Sequence, residues 1–303
     1  MHIDKSLCIK LPKYEVLTLF CCFVDLCRIK ALGNLGTPDI SLTVSGVCHL
    51  NGNLYVVLLN YNNITVYSAK SGATFEDQLP VKVIAVNGMI GPVDIVTSFT
   101  LQRLYVADSF GVWRLKANLD DDHNTADQDT KLWLQAKGVK SLSVAVGGKL
   151  MVTEHESLRM FSSNLELIFE INLDSCGLTK VQHAFETSSG TLIVCQADIH
   201  EKGIHRIVEI NNSGVVLRTC SGIAGIGCLS GPHHADEDAE RGWVFVPDFS
   251  THQVLLFDRK LNLQGVLVKS KGDLFKKVCY VKELKLLLLC KVFGSVDVYR
   301  VYP

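Results

Sequence analysis

Residues 242–265 read GWVFVPDFSTHQVLLFDRKLNLQG and contain two short apolar runs separated by a polar loop. The runs are VFVPD at 244–248 and QVLLFD at 253–258, and the loop between them is FSTH at 249–252. Both runs are rich in Val, Leu and Phe and are bounded by residues typical of turns, which predicts two β-strands joined by a tight connection. This pair of strands is the unit by which the rest of the chain can be interpreted.

The first of the two runs recurs along the chain. LYVVL, LYVAD, LMVTE, LIVCQ, VFVPD and LLLLC begin at residues 54, 104, 150, 192, 244 and 286, so successive starts lie 42–52 residues apart. This spacing is close to the period of about 40–50 residues that is typical of four-stranded β-propeller blades. The segments show no apolar period of 3.6 residues, so a helical repeat is not expected.

Further apolar runs complete each unit as four strands, which we name a, b, c and d from the propeller axis outward. The a runs begin at residues 45, 91, 141, 181, 232 and 277, the c runs at 64, 112, 158, 205, 253 and 296, and the d runs at 81, 131, 165, 214 and 263. The sixth unit has no d run, because the chain ends at Pro303. The spare stretch DISLTV at 39–44 is expected to fill this place, because pairing the two chain ends removes an open sheet edge.

The sequence therefore predicts an all-β fold, a six-bladed β-propeller closed by an N-terminal strand. The propeller is predicted to span residues 37–303. Residues 1–36 lie outside the repeat and are interpreted as an N-terminal appendage: a signal segment, a remnant of a larger protein or a tail.

The composition suits one large core and gives no sign of a polyanion-binding surface. The 303 residues are 48% hydrophobic and 20% charged, with a formal net charge of −1. Proteins that bind nucleic acid usually carry a basic excess, so nucleic acid is disfavoured as a ligand. The eleven cysteines include no Cys-x-x-Cys pair, and most lie singly in apolar runs. This pattern favours a reducing cytoplasm.

The apolar run VLTLFCCFV at 16–24 leaves secretion as the alternative. It follows three lysines, as the core of a signal peptide would, but Glu15 and Asp25 flank it and no clean cleavage pattern follows. It is also shorter than the roughly 20 apolar residues that span a bilayer. We therefore expect a monomer that does not associate with a membrane.

Two units resemble the NHL repeat, a β-propeller blade motif. The matching positions in 242–265 are Val246, Asp248, His252, Val254, Phe257, Asp258 and Gly265, and Gln253 stands where Arg is typical. The second match is RLYVADSFGVWRLKA at 103–117, and the other units are degenerate. The resemblance implies a TolB-like, six-bladed propeller similar to that of the tripartite-motif NHL proteins, in which it selects a substrate or an RNA.

The b–c connections and the links from d to the next a strand share one face of a propeller. Loops on a rigid scaffold commonly carry binding residues, and aromatic rings among polar groups suit a protein or peptide partner. The candidate partner-binding residues on this face are Tyr61, Phe110, His155, His200, Phe249 and His252. The alternative is that these side chains pack on neighbouring blades.

The a strands line the axis, and one aligned column brings Asp94, His183 and His234 toward the channel. Two imidazoles and a carboxylate are suitable ligands for a transition metal. Each residue comes from a different blade, however, and propeller axes are commonly lined by polar side chains and water. No cofactor is therefore predicted, and the three residues are kept as a candidate metal site.

No serine-nucleophile, phosphate-loop or dinucleotide motif is present in the sequence. This favours a non-catalytic protein-interaction module, a scaffold or a substrate-recognition unit. One alternative is a metal-dependent hydrolase or lyase of the gluconolactonase or amidating-lyase type, working in the central channel, although the column lacks Glu and Asn. Another is a recognition component of the ubiquitin pathway, which would need a RING-type domain from another chain. Fold alone does not decide among them.

Overall fold

The computed structural model describes residues 14–15, 28–36, 43–69, 79–117, 130–164, 166–198, 203–223 and 227–302. Their strands form six antiparallel blades, as the repeat predicted. Three short 3-10 turns are present at Val146–Gly148, Asp174–Cys176 and Phe249–Thr251. No helix in this part of the chain has the length and apolar character needed to cross a membrane.

The strands follow the chain in blade order. Two strands precede the first blade, β1 (Tyr14–Glu15) and β2 (Arg28–Gly36). Blade 1 contains β3 (Val44–Leu50), β4 (Asn53–Leu58), β5 (Asn63–Ser68) and β6 (Lys82–Ala85); blade 2 contains β7 (Asp94–Ser98), β8 (Arg103–Ala107), β9 (Gly111–Lys116) and β10 (Lys131–Gln135). Blade 3 contains β11 (Ser141–Val144), β12 (Leu150–Thr153), β13 (Ser157–Phe161) and β14 (Leu167–Asn172); blade 4 contains β15 (Val181–Glu186), β16 (Leu192–Gln196), β17 (Arg206–Ile210) and β18 (Val216–Cys220).

The short ribbon of β19 (Gly222–Ile223) and β20 (Gly227–Cys228) joins blade 4 to blade 5. Blade 5 contains β21 (Asp236–Asp238), β22 (Trp243–Asp248), β23 (Gln253–Phe257) and β24 (Leu263–Ser270), and β1 adds to its outer edge. Blade 6 contains β25 (Phe275–Val281), β26 (Leu286–Lys291) and β27 (Ser295–Tyr302).

The N-terminal strand that closes the ring is β2. It pairs with β27 from Arg28 opposite Tyr302 to Gly36 opposite Ser295, and so forms the outer strand of blade 6. Closure by an N-terminal strand is confirmed, but the expectation that residues 39–44 supply it is wrong. Residues 28–36, placed in the appendage by the sequence pattern, belong to the last blade.

The composition of β2 explains why it was missed. Its sequence, RIKALGNLG, holds two glycines and one β-branched residue, so it has low strand propensity. Its register also shifts between Ala31 and Gly33, which breaks the alternation of side chains that identifies a strand.

The core lies between the blades. Six clusters of buried apolar side chains are present, and each joins two neighbouring blades, from the pair 1–2 around to the pair 6–1. In the cluster that joins blades 6 and 1, Leu288 packs with Val56 and Tyr67. In the cluster between blades 2 and 3, the Trp133 ring lies 5.4 Å from Tyr105 and 5.9 Å from Phe161. Burial is therefore shared around the whole ring.

Candidate interaction face and channel

The b–c connections and the d–a links lie on the same side of the ring, which we call the b–c face. Buried acidic residues at the ends of two b strands fix its loops. Asp108 accepts hydrogen bonds from the backbone N–H of Phe110 (2.8 Å) and Ile90 (2.9 Å) and from Trp113 Nε1 (2.7 Å). It thereby joins its own b–c turn to the link that enters the blade.

Asp248 has the same role in blade 5. It accepts hydrogen bonds from the Ser230 backbone N–H (3.0 Å) and from Thr251 Oγ1 (2.8 Å). Gln196 continues the pattern in blade 4, where its Oε1 accepts from Arg206 Nε at 2.7 Å and its Nε2 donates to Thr179 Oγ1 at 3.3 Å. The recurring polar residue of the motif therefore positions the loops of the b–c face.

Several apolar side chains project from these loops into solvent. Tyr61 is 43% exposed, Phe110 50% and Phe293 62%. Ile90, in a d–a link, and Ile204, in a b–c loop, are 57% and 54% exposed and were not among the sequence candidates. The sequence placed both isoleucines in connections between strands. An isolated isoleucine in a loop belongs to no motif, so nothing marked either residue as part of an interface.

The other predicted partner-binding residues differ in their exposure to solvent. His155 is exposed, and its ring lies beside Gly138 in the link that enters blade 3. Phe249 is partly buried and packs against His233, with ring centroids 5.3 Å apart. His252 is also partly buried, and its Nδ1 lies 3.0 Å from the Asp273 carbonyl oxygen. His200 lies outside the described residues.

Three lysines lie at the b–c face end of inner strands, next to the propeller axis. Lys140 precedes β11, Lys180 precedes β15, and Lys276 is the second residue of β25, so all three stand where an inner strand begins. In the described part of the chain, no ion pair joins any of them to an acidic side chain. We call these three residues the lysine rim.

The lysine rim is electrostatically unfavourable in the free protein. Burial lowers the pKa of Lys140, and the charge of Lys180 lowers it further. Burial, followed by repulsion from Lys277, lowers the pKa of Lys276, and Asp94 offsets only part of this effect. Both lysines are therefore held where their charge is disfavoured.

The predicted metal residues do come together inside the channel. Asp94, His183 and His234 offer ligand atoms that all lie within 4.8 Å of one another. The two imidazole rings stack, with centroids 3.6 Å apart and planes 19° from parallel. Burial, with a smaller contribution from Lys277, lowers the pKa of His183 to about 3, and burial also lowers the pKa of His234, so both rings are neutral.

Lys277 lies beside Asp94, the only carboxylate of this cluster of three residues. Its Nζ lies 2.7 Å from Asp94 Oδ1 and donates to the Val93 carbonyl oxygen at 2.8 Å. The carboxylate also accepts from the backbone N–H groups of Ile95 (2.9 Å) and Leu142 (2.8 Å). Neutral imidazoles and a carboxylate suit a transition metal, but this carboxylate is already neutralised by an ammonium group.

The channel widens into a cavity of about 340 Å³ beyond this cluster. Its lining includes Asp94, His183, His234, Asp236, Lys277 and Cys279. Ser141 Oγ lies 2.9 Å from His183 Nδ1, a distance found in nucleophile–base pairs. Ser141 is fully buried and does not line the cavity, so this pair cannot reach a substrate there.

Comparison with known proteins supports the fold and no closer relationship. No protein-family model matches the chain, and no curated protein matches it in sequence. The backbone is similar to a solved structure described as the WD40 beta propeller domain of Doa1, with a TM-score of 0.64 and 12% identity over 89% of this chain and 96% of that chain. The chain is a six-bladed β-propeller, and the NHL resemblance stays a prediction.

Proposed function

We propose that this propeller is a non-catalytic protein-interaction module that binds its partner through the b–c face. The observation that carries the proposal is the exposure of Tyr61, Phe110, Phe293, Ile90 and Ile204 on loops of that one face. Single exposed apolar residues are normal, but a set on one face that includes three aromatic rings is typical of an interface.

The loops that carry these side chains are fixed before a partner arrives. Asp108 holds the backbone on both sides of the Phe110 turn, as well as the link that carries Ile90. A preorganised surface loses little conformational entropy on binding, so a modest number of contacts can give useful affinity. The same acidic position supports our inference that the blades are of the NHL type.

We also propose that the protein acts in the cytoplasm. Six cysteines of the described residues are free, namely Cys48, Cys176, Cys195, Cys220, Cys279 and Cys290. Several of them are buried in the cores between blades, where a thiol serves as a small apolar side chain.

The proposal is tested by quantitative affinity capture from cell extract. Three baits are compared: the wild type, the variant Tyr61→Ala/Phe110→Ala/Phe293→Ala, and the matched control Phe99→Ala/Val146→Ala, whose exposed side chains lie in a–b connections on the opposite face. We expect a set of proteins to be lost from the triple variant and retained by the control. Partners retained equally by all three baits would refute the choice of face.

A further inference from the structure

We propose that the b–c face recognises an acidic peptide segment, whose carboxylates are bound by the lysine rim next to the propeller axis. This inference rests on the proposed function, because it uses the same face. It adds the chemistry of the partner: one or more Asp or Glu side chains flanked by apolar residues.

The topology places the three lysines at the same end of the inner strands. They belong to blades 3, 4 and 6, and each stands at the start of an inner strand, next to the axis. The electrostatics of two histidines agree with this placement. Lys140 and Lys180 both act on His155, whereas Lys276 and Lys140 both act on His233. Far apart in sequence, the lysines form one basic site in the folded ring.

The rim lacks the acidic partners that two buried lysines of the described chain possess. Lys277 is paired with Asp94 at 2.7 Å, and Lys291 is paired with Asp297 at 2.8 Å. Glu156 acts on His155 beside Lys140 and Lys180, but it forms no ion pair with either lysine. A cluster of like charges without ion-pair partners favours a ligand of opposite charge. Burial is the main cause of the lowered pKa of Lys140 and Lys276, and repulsion from neighbouring lysines adds to it. A carboxylate placed among the three lysines would offset that repulsion.

A peptide fits this surface better than a nucleic acid. The chain has a formal net charge of −1, so it offers no long-range attraction to a polyanion. The three lysines are grouped at the starts of inner strands instead of following a track, and Phe110, Ile90 and Ile204 are exposed in loops of the same face. The arrangement suits a short anionic centre with apolar side chains on either side of it.

The experiment is a selection of displayed random dodecapeptides on the wild-type protein, followed by affinity measurement. The enriched peptides are synthesised with a fluorescent label, and their Kd is measured by fluorescence polarisation. The test variant is Lys140→Gln/Lys180→Gln/Lys276→Gln. The matched control, Lys131→Gln/Lys260→Gln/Lys285→Gln, removes three exposed lysines that lie outside the b–c face. Each variant is first shown to be folded by its circular dichroism and melting temperature.

We expect the enriched peptides to contain Asp or Glu, and their Kd to rise about tenfold or more in the test variant with little change in the control. Arginine at the same three positions should preserve binding, because it keeps the positive charge. The affinity should also fall as salt concentration rises.

Other outcomes separate this inference from the proposed function. One such outcome is that the enriched peptides lack Asp and Glu and lose binding when Tyr61, Phe110 and Phe293 are replaced by Ala. That result would overturn the acidic specificity but would support binding at the b–c face. Acidic peptides that bind the test variant as well as the wild type would also overturn it. If no peptide is enriched and a labelled uridine decamer binds through the same lysines, the partner is a nucleic acid and both proposals fail.

Discussion

Lys277 lies in the channel beside the cluster of Asp94, His183 and His234. It neutralises Asp94 in a buried ion pair, and it adds to the burial that keeps His183 and His234 uncharged. A divalent cation at the same place would lie close to the ammonium group, and that repulsion opposes metal binding. The sequence predicted the three ligands, but it did not reveal the lysine that competes with them.

Replacing Lys277 with Met should therefore create a metal site. The variant leaves the Asp94 carboxylate buried without a counter-ion, so we expect a lower melting temperature than the wild type without metal. Zinc should raise the melting temperature of this variant and leave that of the wild type unchanged. Adding His183→Ala to the variant should abolish the zinc effect. Equal zinc binding by wild type and variant would contradict this role of Lys277.

The pH dependence of stability tests the environment of a second lysine, Lys276. Its pKa in the folded state is lowered by burial and by Lys277, whereas the unfolded chain keeps the ordinary value of 10.5. The folded state therefore binds fewer protons between these two values, so stability rises with pH in this window, and the cost of the charge is fully present below the folded-state pKa.

Lys276→Gln removes that charge. We expect it to increase the free energy of unfolding near neutral pH, and we expect the gain to shrink as the pH approaches 10.5. Urea denaturation at several pH values measures the effect, with Lys131→Gln, on the exposed outer strand of blade 2, as the control. A gain that does not depend on pH would show that the charge of Lys276 is not the cause.

Among the strands, the closing strand β2 is the one whose removal is expected to lower stability most. Deleting residues 1–36 removes β2 and leaves β27 as an open edge. We expect this truncation to lower the melting temperature strongly and to cause aggregation, because an unpaired edge strand recruits other chains. Deleting residues 1–24 removes β1 but keeps β2, and it should remain monomeric in size-exclusion chromatography. If both truncations behave alike, β2 does not close the ring.

The strands show what sequence pattern can and cannot predict. The inner strand of blade 4 was predicted to begin at residue 181, and β15 (Val181–Glu186) begins there. The inner strand of blade 5 was expected from residue 232, but β21 begins at Asp236 and Pro232 forms only an isolated bridge with Asp248. Proline has no N–H to continue a ladder of hydrogen bonds.

The candidate site was predictable to a similar degree. Asp94, His183 and His234 fall in one column when the repeats are aligned, so the sequence predicted that they meet in the channel. Their ligand atoms do lie within 4.8 Å of one another. The lysine rim has no such signal. Each of its members looks like an ordinary surface lysine, and only the closed ring places Lys140, Lys180 and Lys276 at the same end of the inner strands.

For the whole molecule, the position of the core between blades implies that the ring unfolds as a unit. In an open array of repeats, each unit depends on its neighbours and the ends can fray. Here the cluster that joins blades 6 and 1 links the two ends of the chain, so the described propeller offers no terminal unit from which unfolding can spread.

Leu288→Ala tests this cooperativity from one point in the ring. Leu288 is fully buried between blades 6 and 1, so the cavity should lower the free energy of unfolding by about 2–5 kcal/mol. The three tryptophans lie in blades 2 and 5, away from the mutated cluster. The unfolding transition reported by their fluorescence should nevertheless move to a lower denaturant concentration. It should coincide with the transition reported by far-ultraviolet circular dichroism. Leu167→Ala, on an exposed outer strand, should change little. A separate early loss of strand signal, with tryptophan fluorescence unchanged, would mean that the blades unfold independently, and the ring would not be the cooperative unit.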